Sequence, residues 1–196
     1  MKKNLTVKET FDLAFEHHKK KNFKVAENLY KDVLKLHPNH FETIYLLGSL
    51  SLQKKDFNNA KQLFQKAVKI NSNHADAHNN LGVAFAELKE REKAIKCFEN
   101  VMKIQPKNAA AFNNLGNEYR NLGKFKEAVN FYQKAIDIKP NYAIVFHNLG
   151  LVFEALGELQ KARGYYEKAI DIQPNDAESY NNLGVVFNVM GELQKA

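Results

Sequence analysis

The sequence predicts an all-α protein, a right-handed superhelical solenoid of about 11 helices stacked as antiparallel pairs. Three observations predict this fold class: a repeat of 34 residues, two apolar stripes at helical spacing within each repeat, and few helix-breaking residues. The 196 residues include only four Pro and nine Gly, and they are 44% hydrophobic and 26% charged. This composition is typical of a folded chain rather than a disordered one.

The repeat is visible in five interlocking series of residues, spaced by 34 positions or a multiple of 34. The series are Gly48, Gly82, Gly116, Gly150 and Gly184; Ala26, Ala60, Ala94, Ala128, Ala162 and Ala196; Leu13, Leu47, Leu81, Leu115, Leu149 and Leu183; Pro38, Pro106, Pro140 and Pro174; and the aromatic residues Tyr30, Phe64, Phe98, Tyr132 and Tyr166. Self-similarity at one fixed period is the signature of a repeat architecture.

The period divides the chain into an N-terminal tail and an array of repeats. The tail is 1–6, and the array 7–196 consists of the units 7–40, 41–74, 75–108, 109–142, 143–176 and the incomplete 177–196. The stripes of the fourth unit predict helices over 109–122 and 126–138. The turn "NLGKF" between them carries Gly123, which can take a positive φ, and Pro140 ends the second helix.

Small residues explain how each pair of helices packs. The repeated Gly of the first helix and the repeated Ala of the second let the two helices approach closely. The aromatic residue four positions after the Ala fills the space beside them. Because one pair cannot bury both of its stripes alone, neighbouring pairs are expected to stack.

The pattern Leu-Gly-x-x-Tyr…Ala-x-x-x-Phe…Pro resembles that of the tetratricopeptide repeat family. The segment "NLGNEYRNLGKFKEAVNFYQKAIDIKPN", 114–141, is a close match, and the resemblance extends from Val7 to Ala196. The first repeat departs from the pattern at Ala14 and His17, and the second departs at Ser51. The resemblance implies that the first helix of each pair lines a concave groove.

A row of asparagines is predicted to lie in that groove. The asparagine row is Asn80, Asn114, Asn148 and Asn182, each immediately before the repeated Leu. Residues beside it complete the candidate peptide-binding set: Asn79, Asn113, Asn181, His147, and in the fourth repeat Asn117, Asn121 and Arg120. The Leu faces the partner helix, and the residue before it lies about 100° around the helix, so it points elsewhere.

An asparagine side chain offers one acceptor group and two donors, which complement a peptide bond. A row of such amides can hold an extended peptide by its backbone. The chain is similar here to O-linked N-acetylglucosamine transferases and related bacterial repeat proteins, in which asparagine at this position contacts peptide backbone. The alternative is that the amides only keep the groove hydrated. The two-carboxylate clamp for chaperone C-termini, which needs basic groove residues, is not predicted.

The N-terminal part of the groove differs because its residues are apolar: Phe11, Phe15, Tyr45, Leu46 and Leu52. This part can receive a hydrophobic or helical segment of a partner. The alternative is that an N-terminal neighbour, or the first residues of the chain itself, cover it.

The motif "GELQKA" occurs at 157–162 and again at 191–196, where the sequence ends inside a predicted helix. Leu183, Val186 and Phe187 are then expected to lack their partner helix. Two interpretations follow: the sequence is a fragment of a longer protein, or this open C-terminal end pairs with a second copy.

The sequence offers no candidate catalytic residue, and no cofactor or metal is expected. The glycines are isolated at repeat positions, so they form no phosphate-binding loop. Cys97 is the single cysteine and is interpreted as an apolar filler. His37 and His40 could meet a metal, but two histidines in a turn are more typical of a polar surface.

The net charge of +7 is concentrated at the N-terminal side, from +4 over 1–40 to −2 over 143–176. We interpret it as a Lys-rich solvated surface and expect no nucleic-acid partner, although a basic surface can attract acidic ones. No secretory signal or membrane-length apolar run is present, so we expect a cytoplasmic protein without a membrane partner.

These patterns predict a protein–protein interaction scaffold that binds an extended peptide segment of a protein partner in its groove. The alternative is the substrate-recruiting arm of a larger transferase, with a catalytic domain beyond residue 196. Both share the binding event, and neither places an enzyme within the chain.

Overall fold

The computed structural model describes residues 5–191, which form 11 α-helices and no strand. The helices are α1 (Val7–Lys19), α2 (Phe23–Leu36), α3 (Phe41–Gln53), α4 (Phe57–Ile70), α5 (Ala75–Glu87), α6 (Arg91–Ile104), α7 (Ala109–Asn121), α8 (Phe125–Ile138), α9 (Ala143–Ala155), α10 (Leu159–Ile172) and α11 (Ala177–Val189). The all-α fold class of paired helices is confirmed. The predicted helices of the fourth repeat, 109–122 and 126–138, agree with α7 and α8 to within one residue.

The chain divides into two compact units, the first ending at Ile104 and the second beginning at Gln105. In the first unit, α1 packs on α2, α3 on α4 and α5 on α6, and α2–α3 and α4–α5 contacts stack the pairs. In the second unit, α7 packs on α8 and α9 on α10, while α11 packs on α10. The first helices of successive pairs also touch, α3 with α5 and α7 with α9.

The predicted close approach at the repeated glycines is confirmed. A Cβ added to Gly116 would lie 2.4 Å from Cε1 of Tyr132, and one added to Gly150 would lie 2.4 Å from Cε1 of Tyr166. Both tyrosines are fully buried. In these two pairs the aromatic ring of the second helix therefore packs directly on the backbone of the first, and an added Cβ would clash with it.

The turn inside each pair requires a left-handed residue. Gly123 takes φ 71°, as predicted, and Gly157 takes φ 73°. In the first three repeats a lysine holds the same position, and Lys21, Lys55 and Lys89 have φ near 60°. A non-glycine residue is strained there, so these lysine turns depend on the packing of the helices they join.

Two histidines begin helices. The Nδ1 atom of His40 accepts a hydrogen bond from the Thr43 backbone N–H at 3.3 Å, and the Nδ1 atom of His74 accepts one from Ala77 at 3.1 Å. These imidazoles do the work of the more usual Ser, Thr, Asp or Asn caps. His40 thus has a structural role in the turn where a metal was considered.

The prediction that Leu183, Val186 and Phe187 of α11 are left uncovered is wrong for Val186 and Phe187. Val186 is fully buried because it packs against Ala162 and Tyr166 of α10, and Phe187 is 7% exposed. The apolar residues left open on α11 are instead Tyr180, Val185 and Val189, each at least 50% exposed. The second "GELQKA" lies almost wholly outside the described residues, and self-association through this end stays a prediction.

Candidate functional site

Candidate binding residues are found in each unit on the first helices of the pairs: α1, α3 and α5 in the first unit and α7, α9 and α11 in the second. The predicted peptide-binding residues all fall on α5, α7, α9 and α11. Residues 34 positions apart share a repeat position, so the environment of one helix can be compared with that of the next.

In the first unit the amides form a hydrogen-bonded chain. Nδ2 of Asn79 donates to Oδ1 of Asn80 at 3.4 Å, and Nδ2 of Asn80 donates to the Tyr45 hydroxyl at 3.3 Å. Both asparagines are half-buried. Asn80 therefore ties α5 to α3 while it keeps part of its surface exposed.

A second chain of amides joins the helices of the second unit. Nδ2 of Asn148 donates to Oδ1 of Asn113 at 2.9 Å, which links α9 to α7. Nδ2 of Asn113 in turn approaches Oδ1 of Asn114 at 3.4 Å. Asn148 is only 5% exposed and Asn113 only 6%, whereas Asn114 is half-buried. The structure thus gives members of the asparagine row different degrees of exposure.

The predicted residues near α11 are also divided between interior and surface. His147 is 5% exposed, and its Nδ1 atom lies 2.8 Å from Oγ of Ser179. Asn182 is half-buried and lies close to the Tyr166 hydroxyl, which donates to Oε2 of Glu154 at 2.7 Å, while Asn181 is exposed. His147 accordingly secures α11 to α9.

The polar stripe of the fourth repeat surrounds the hydroxyl of a buried tyrosine. The Tyr132 hydroxyl donates to Oδ1 of Asn117 at 2.7 Å. Burial raises the pKa of Tyr132 to about 12, although the nearby Arg120 guanidinium has a smaller effect that lowers it. Asn121 lies exposed at the end of α7. The bond to Tyr132 uses the carbonyl oxygen of Asn117 and so orients its amide N–H groups.

Eight of the 11 predicted residues are exposed or half-buried, so a ligand can reach them. The three others, Asn113, His147 and Asn148, are buried and cross-link successive first helices. Sequence reasoning missed this cross-linking, because an amide can bond a ligand, water or a neighbouring repeat equally well. Peptide contact by the set stays a prediction.

The first unit contains an open cavity of about 450 Å³, which we name the aromatic pocket. Its lining residues are Phe11, Phe15, Phe41, Glu42, Tyr45, Leu46, Asn71 and His74. Four of the five residues predicted for an apolar N-terminal groove are among them, and Leu52 is not.

Sequence reasoning missed Phe41 and His74 as members of the aromatic pocket. A signal for Phe41 was present, since Ala75, Ala109, Ala143 and Ala177 hold its repeat position in the later repeats. A bulky ring at a position that otherwise carries Ala indicates a local change of surface. No comparable signal marks His74, which joins the pocket because it caps α5.

Among residues 5–191 no group of three or more His, Cys, Asp or Glu side chains is placed to hold a metal ion. Cys97 is 7% exposed, and burial raises the pKa of its thiol to about 12. It is therefore packed as an apolar filler, as the sequence predicts.

The buried bond between Asn148 and Asn113 predicts a measurable stability effect. We expect Asn148→Ala to lower the free energy of unfolding by about 1 kcal/mol relative to Asn130→Ala, because the Asn113 oxygen loses its donor. Asn130 is exposed on α8, so both substitutions share the gain in helix propensity. Urea unfolding curves measure the difference, and equal stabilities of the two variants would show that the bond contributes nothing.

Comparison with known proteins agrees with the repeated pairs of helices. Models described as tetratricopeptide repeats match residues 16–75, 51–116, 116–157, 143–176 and 165–196, which together span nearly the whole chain. The chain therefore belongs to the tetratricopeptide repeat family, whose fold serves as a protein-interaction scaffold. No curated protein matches it in sequence.

Several solved structures share the fold. A crystal structure of MamA is 29% identical, with a TM-score of 0.75 over 84% of this chain and 96% of that one. YrrB, described as a tetratricopeptide protein with an unusual peptide-binding site, is 22% identical, with a TM-score of 0.74 over 90% of this chain and 91% of that one. PilW, a type IV pilus biogenesis factor, is 19% identical, with a TM-score of 0.85 over 97% of this chain and 89% of that one. The last two likenesses concern the fold alone.

A helix that crosses a membrane must be both long and apolar. None of the helices within residues 5–191 combines the length and the apolar character that crossing a bilayer requires.

Proposed function

We propose that the chain is a scaffold that binds an extended peptide segment of a partner protein along its first helices. The main contacts are hydrogen bonds from asparagine amides to the peptide backbone. The alternative of a substrate-recruiting arm of a larger transferase shares this binding event and differs only in residues beyond 196.

The observation that carries the proposal is the fixed orientation of the amides before any ligand binds. In the second unit, the run from Asn148 through Asn113 to Asn114 restricts all three side chains. Tyr132 restricts Asn117 in the same way. Ordering a side chain costs conformational entropy on binding, so amides that are already ordered bind a peptide more tightly than free ones.

The exposed and half-buried members of the set are assigned the direct contacts, and the buried members hold them in position. Asn114, Asn117 and Asn182 are half-buried in the second unit and are the residues that a peptide meets. YrrB, a protein of the same fold, is described as having an unusual peptide-binding site, which supports peptide binding as the activity.

The test is selection of peptides from a displayed random library, followed by affinity measurement with the full chain. We expect selected peptides to bind the triple variant Asn114→Ala, Asn117→Ala, Asn182→Ala at least about 10-fold more weakly than the wild type. The matched control is Asn130→Ala with Asn141→Ala, two exposed asparagines outside the first helices. Asn148 is left intact to preserve its buried bond to Asn113, and circular dichroism checks that the triple variant, which also loses the Asn117 bond to Tyr132, is as folded as the control.

Two further readouts sharpen this test. Replacing single side chains of a selected peptide by Ala is expected to change affinity little in the segment over these amides, while N-methylation of its backbone amides abolishes binding. Equal affinities of the triple variant and the wild type would overturn the proposal.

A further inference from the structure

We propose that the aromatic pocket of the first unit anchors one large apolar side chain, aromatic by preference, flanked by Lys or Arg in the partner peptide. This inference rests on the proposed function and adds a side-chain preference to a site that otherwise binds backbone. The aromatic pocket lies entirely within the first unit, formed by α1, α3 and the connection between α4 and α5.

The aromatic pocket forms because the first two repeats carry bulky apolar residues at positions where later repeats carry Asn or Ala. Tyr45 stands at the repeat position of Asn79 and Asn113, and Leu46 stands at that of Asn80. Phe41 replaces the Ala of later repeats. The amide chain therefore ends at Asn80, whose Nδ2 atom donates to the Tyr45 hydroxyl at 3.3 Å. A peptide that follows the amides on α5 meets this apolar surface next.

The walls of the aromatic pocket are rigid. Phe11 and Phe15 stack with ring centroids 6.4 Å apart, and Phe41 and Tyr45 stack at 6.2 Å. The His74 ring lies 4.8 Å from Phe41 and 5.1 Å from Tyr45. His74 is itself fixed, because its Nδ1 atom caps α5. A preformed apolar cavity of this kind loses little entropy when it is filled.

The size of the aromatic pocket fits a large side chain. Its volume of about 450 Å³ leaves room for even the largest side chain, and Phe15 in its lining is 37% exposed. Aromatic rings bury large areas and gain from stacked or edge-to-face contacts with other rings. An aromatic or large aliphatic anchor therefore fills the aromatic pocket better than a small or polar residue.

The charge at the rim selects the neighbours of that anchor. Glu42 lines the aromatic pocket with its side chain 63% exposed, so its carboxylate stands at the opening. Burial raises the pKa of the Tyr45 hydroxyl, and the negative charge of Asp76 nearby raises it further. The Nζ atom of Lys19, which is paired with Glu16 at 3.1 Å, lies 4.4 Å from the Phe15 ring centroid. The face of Phe15 is thus already covered by a cation, so a Lys or Arg of the peptide is directed to the Glu42 carboxylate instead.

The test uses the isotope-labelled full chain and three synthetic peptides with blocked ends, Gly-Lys-Phe-Lys-Gly, Gly-Lys-Ala-Lys-Gly and Gly-Glu-Phe-Glu-Gly. Titration by NMR locates each peptide and gives its affinity. We expect the Lys-Phe-Lys peptide to shift resonances of Phe41, Tyr45 and His74, and to bind at least about 10-fold more tightly than either of the others.

Two variants connect binding to the aromatic pocket. Phe41→Ala with Leu46→Asn introduces the residues that the later repeats carry, and we expect it to weaken the Lys-Phe-Lys peptide at least about 10-fold. Glu42→Lys reverses the charge of a largely exposed side chain, whose carboxylate lies 3.7 Å from Nδ1 of His40, and we expect it to weaken that peptide and strengthen the Glu-Phe-Glu peptide. Ile144→Ala is the control, since Ile144 is 44% exposed at the repeat position of Glu42 in the second unit.

The outcomes separate this inference from the proposed function. Equal binding of the Phe and Ala peptides, or no effect of either pocket variant, overturns the inference even if the triple asparagine variant loses its selected peptides. A wild-type dimer in sedimentation that becomes a monomer in Phe41→Ala/Leu46→Asn also overturns it, because the occupant is then a second copy.

Discussion

Replacing Leu149 by Ala is expected to lower the free energy of unfolding by about 2–5 kcal/mol. Leu149 is 1% exposed and lies in the core cluster of the second unit, with Tyr132 of α8 and with Val145 and Val152 of its own helix. Truncation removes buried apolar surface and leaves a cavity, because the fully buried Tyr132 ring has little freedom to collapse into the space.

The control for this prediction is Leu156→Ala at the end of the same helix. Leu156 is 45% exposed, so its truncation is expected to cost about 1 kcal/mol or less. Denaturant unfolding measures both variants, and hydrogen exchange of the α9 amides reports whether the loss is local. If both variants lost the same stability, Leu149 would not lie in a packed core.

The fold was predictable because the repeat supplies the same evidence several times. One apolar stripe predicts a helix weakly, but the same stripe at 34-residue intervals predicts α7 and α8 to within one residue. The repeated Gly and the aromatic residue of its partner helix are likewise read from spacing alone. The close packing of an aromatic ring on a glycine can therefore be predicted from the sequence.

The candidate site was less predictable because hydrogen-bond partners depend on distances between repeats. The sequence places Asn113 and Asn148 on neighbouring helices, but only the structure brings Nδ2 of one to 2.9 Å from Oδ1 of the other. His74 enters the aromatic pocket through its capping bond to Ala77, which no pattern of side chains announces. The sequence therefore placed the candidate residues on the first helices, but it did not predict which of them hydrogen-bond to each other.

The same reasoning applies to Glu42 and Phe41. A carboxylate and a ring one residue apart on a helix point in different directions, so their spacing alone does not predict a shared cavity. They meet in the aromatic pocket because Phe41 packs on His74 while Glu42 remains at the opening. The proposed preference for a cationic neighbour follows from that arrangement rather than from the net charge of the chain.

Gly116→Ala is expected to destabilise the protein by about 1–3 kcal/mol through overpacking. The new Cβ would lie 2.4 Å from Cε1 of Tyr132, far inside van der Waals contact. The ring cannot retreat easily, because it is fully buried and its hydroxyl donates to Oδ1 of Asn117 at 2.7 Å. The first pair carries Ala14 at this repeat position, in one core cluster with Tyr30, so a pair built around Ala is possible.

Gly184→Ala is the matched control for this substitution, since it occupies the same repeat position on α11 and no described atom lies within 4 Å of the added Cβ. There the gain in helix propensity is expected to stabilise the chain by about 0.5–1 kcal/mol. The two variants should therefore differ by about 1.5–4 kcal/mol in denaturant unfolding. Similar stabilities would mean that Tyr132 does not pack on the Gly116 backbone.

Combining Gly116→Ala with Tyr132→Leu separates the clash from other effects. The smaller side chain removes the ring that the new methyl group meets, so the double variant should be more stable than the sum of the single losses predicts. Gly116→Ala alone should also weaken peptide binding, because a displaced Tyr132 hydroxyl no longer orients the Asn117 amide. The free energy of unfolding and the peptide affinity of Gly116→Ala then fall together. This is expected if the packing of each helix pair sets the geometry of the face that binds the peptide.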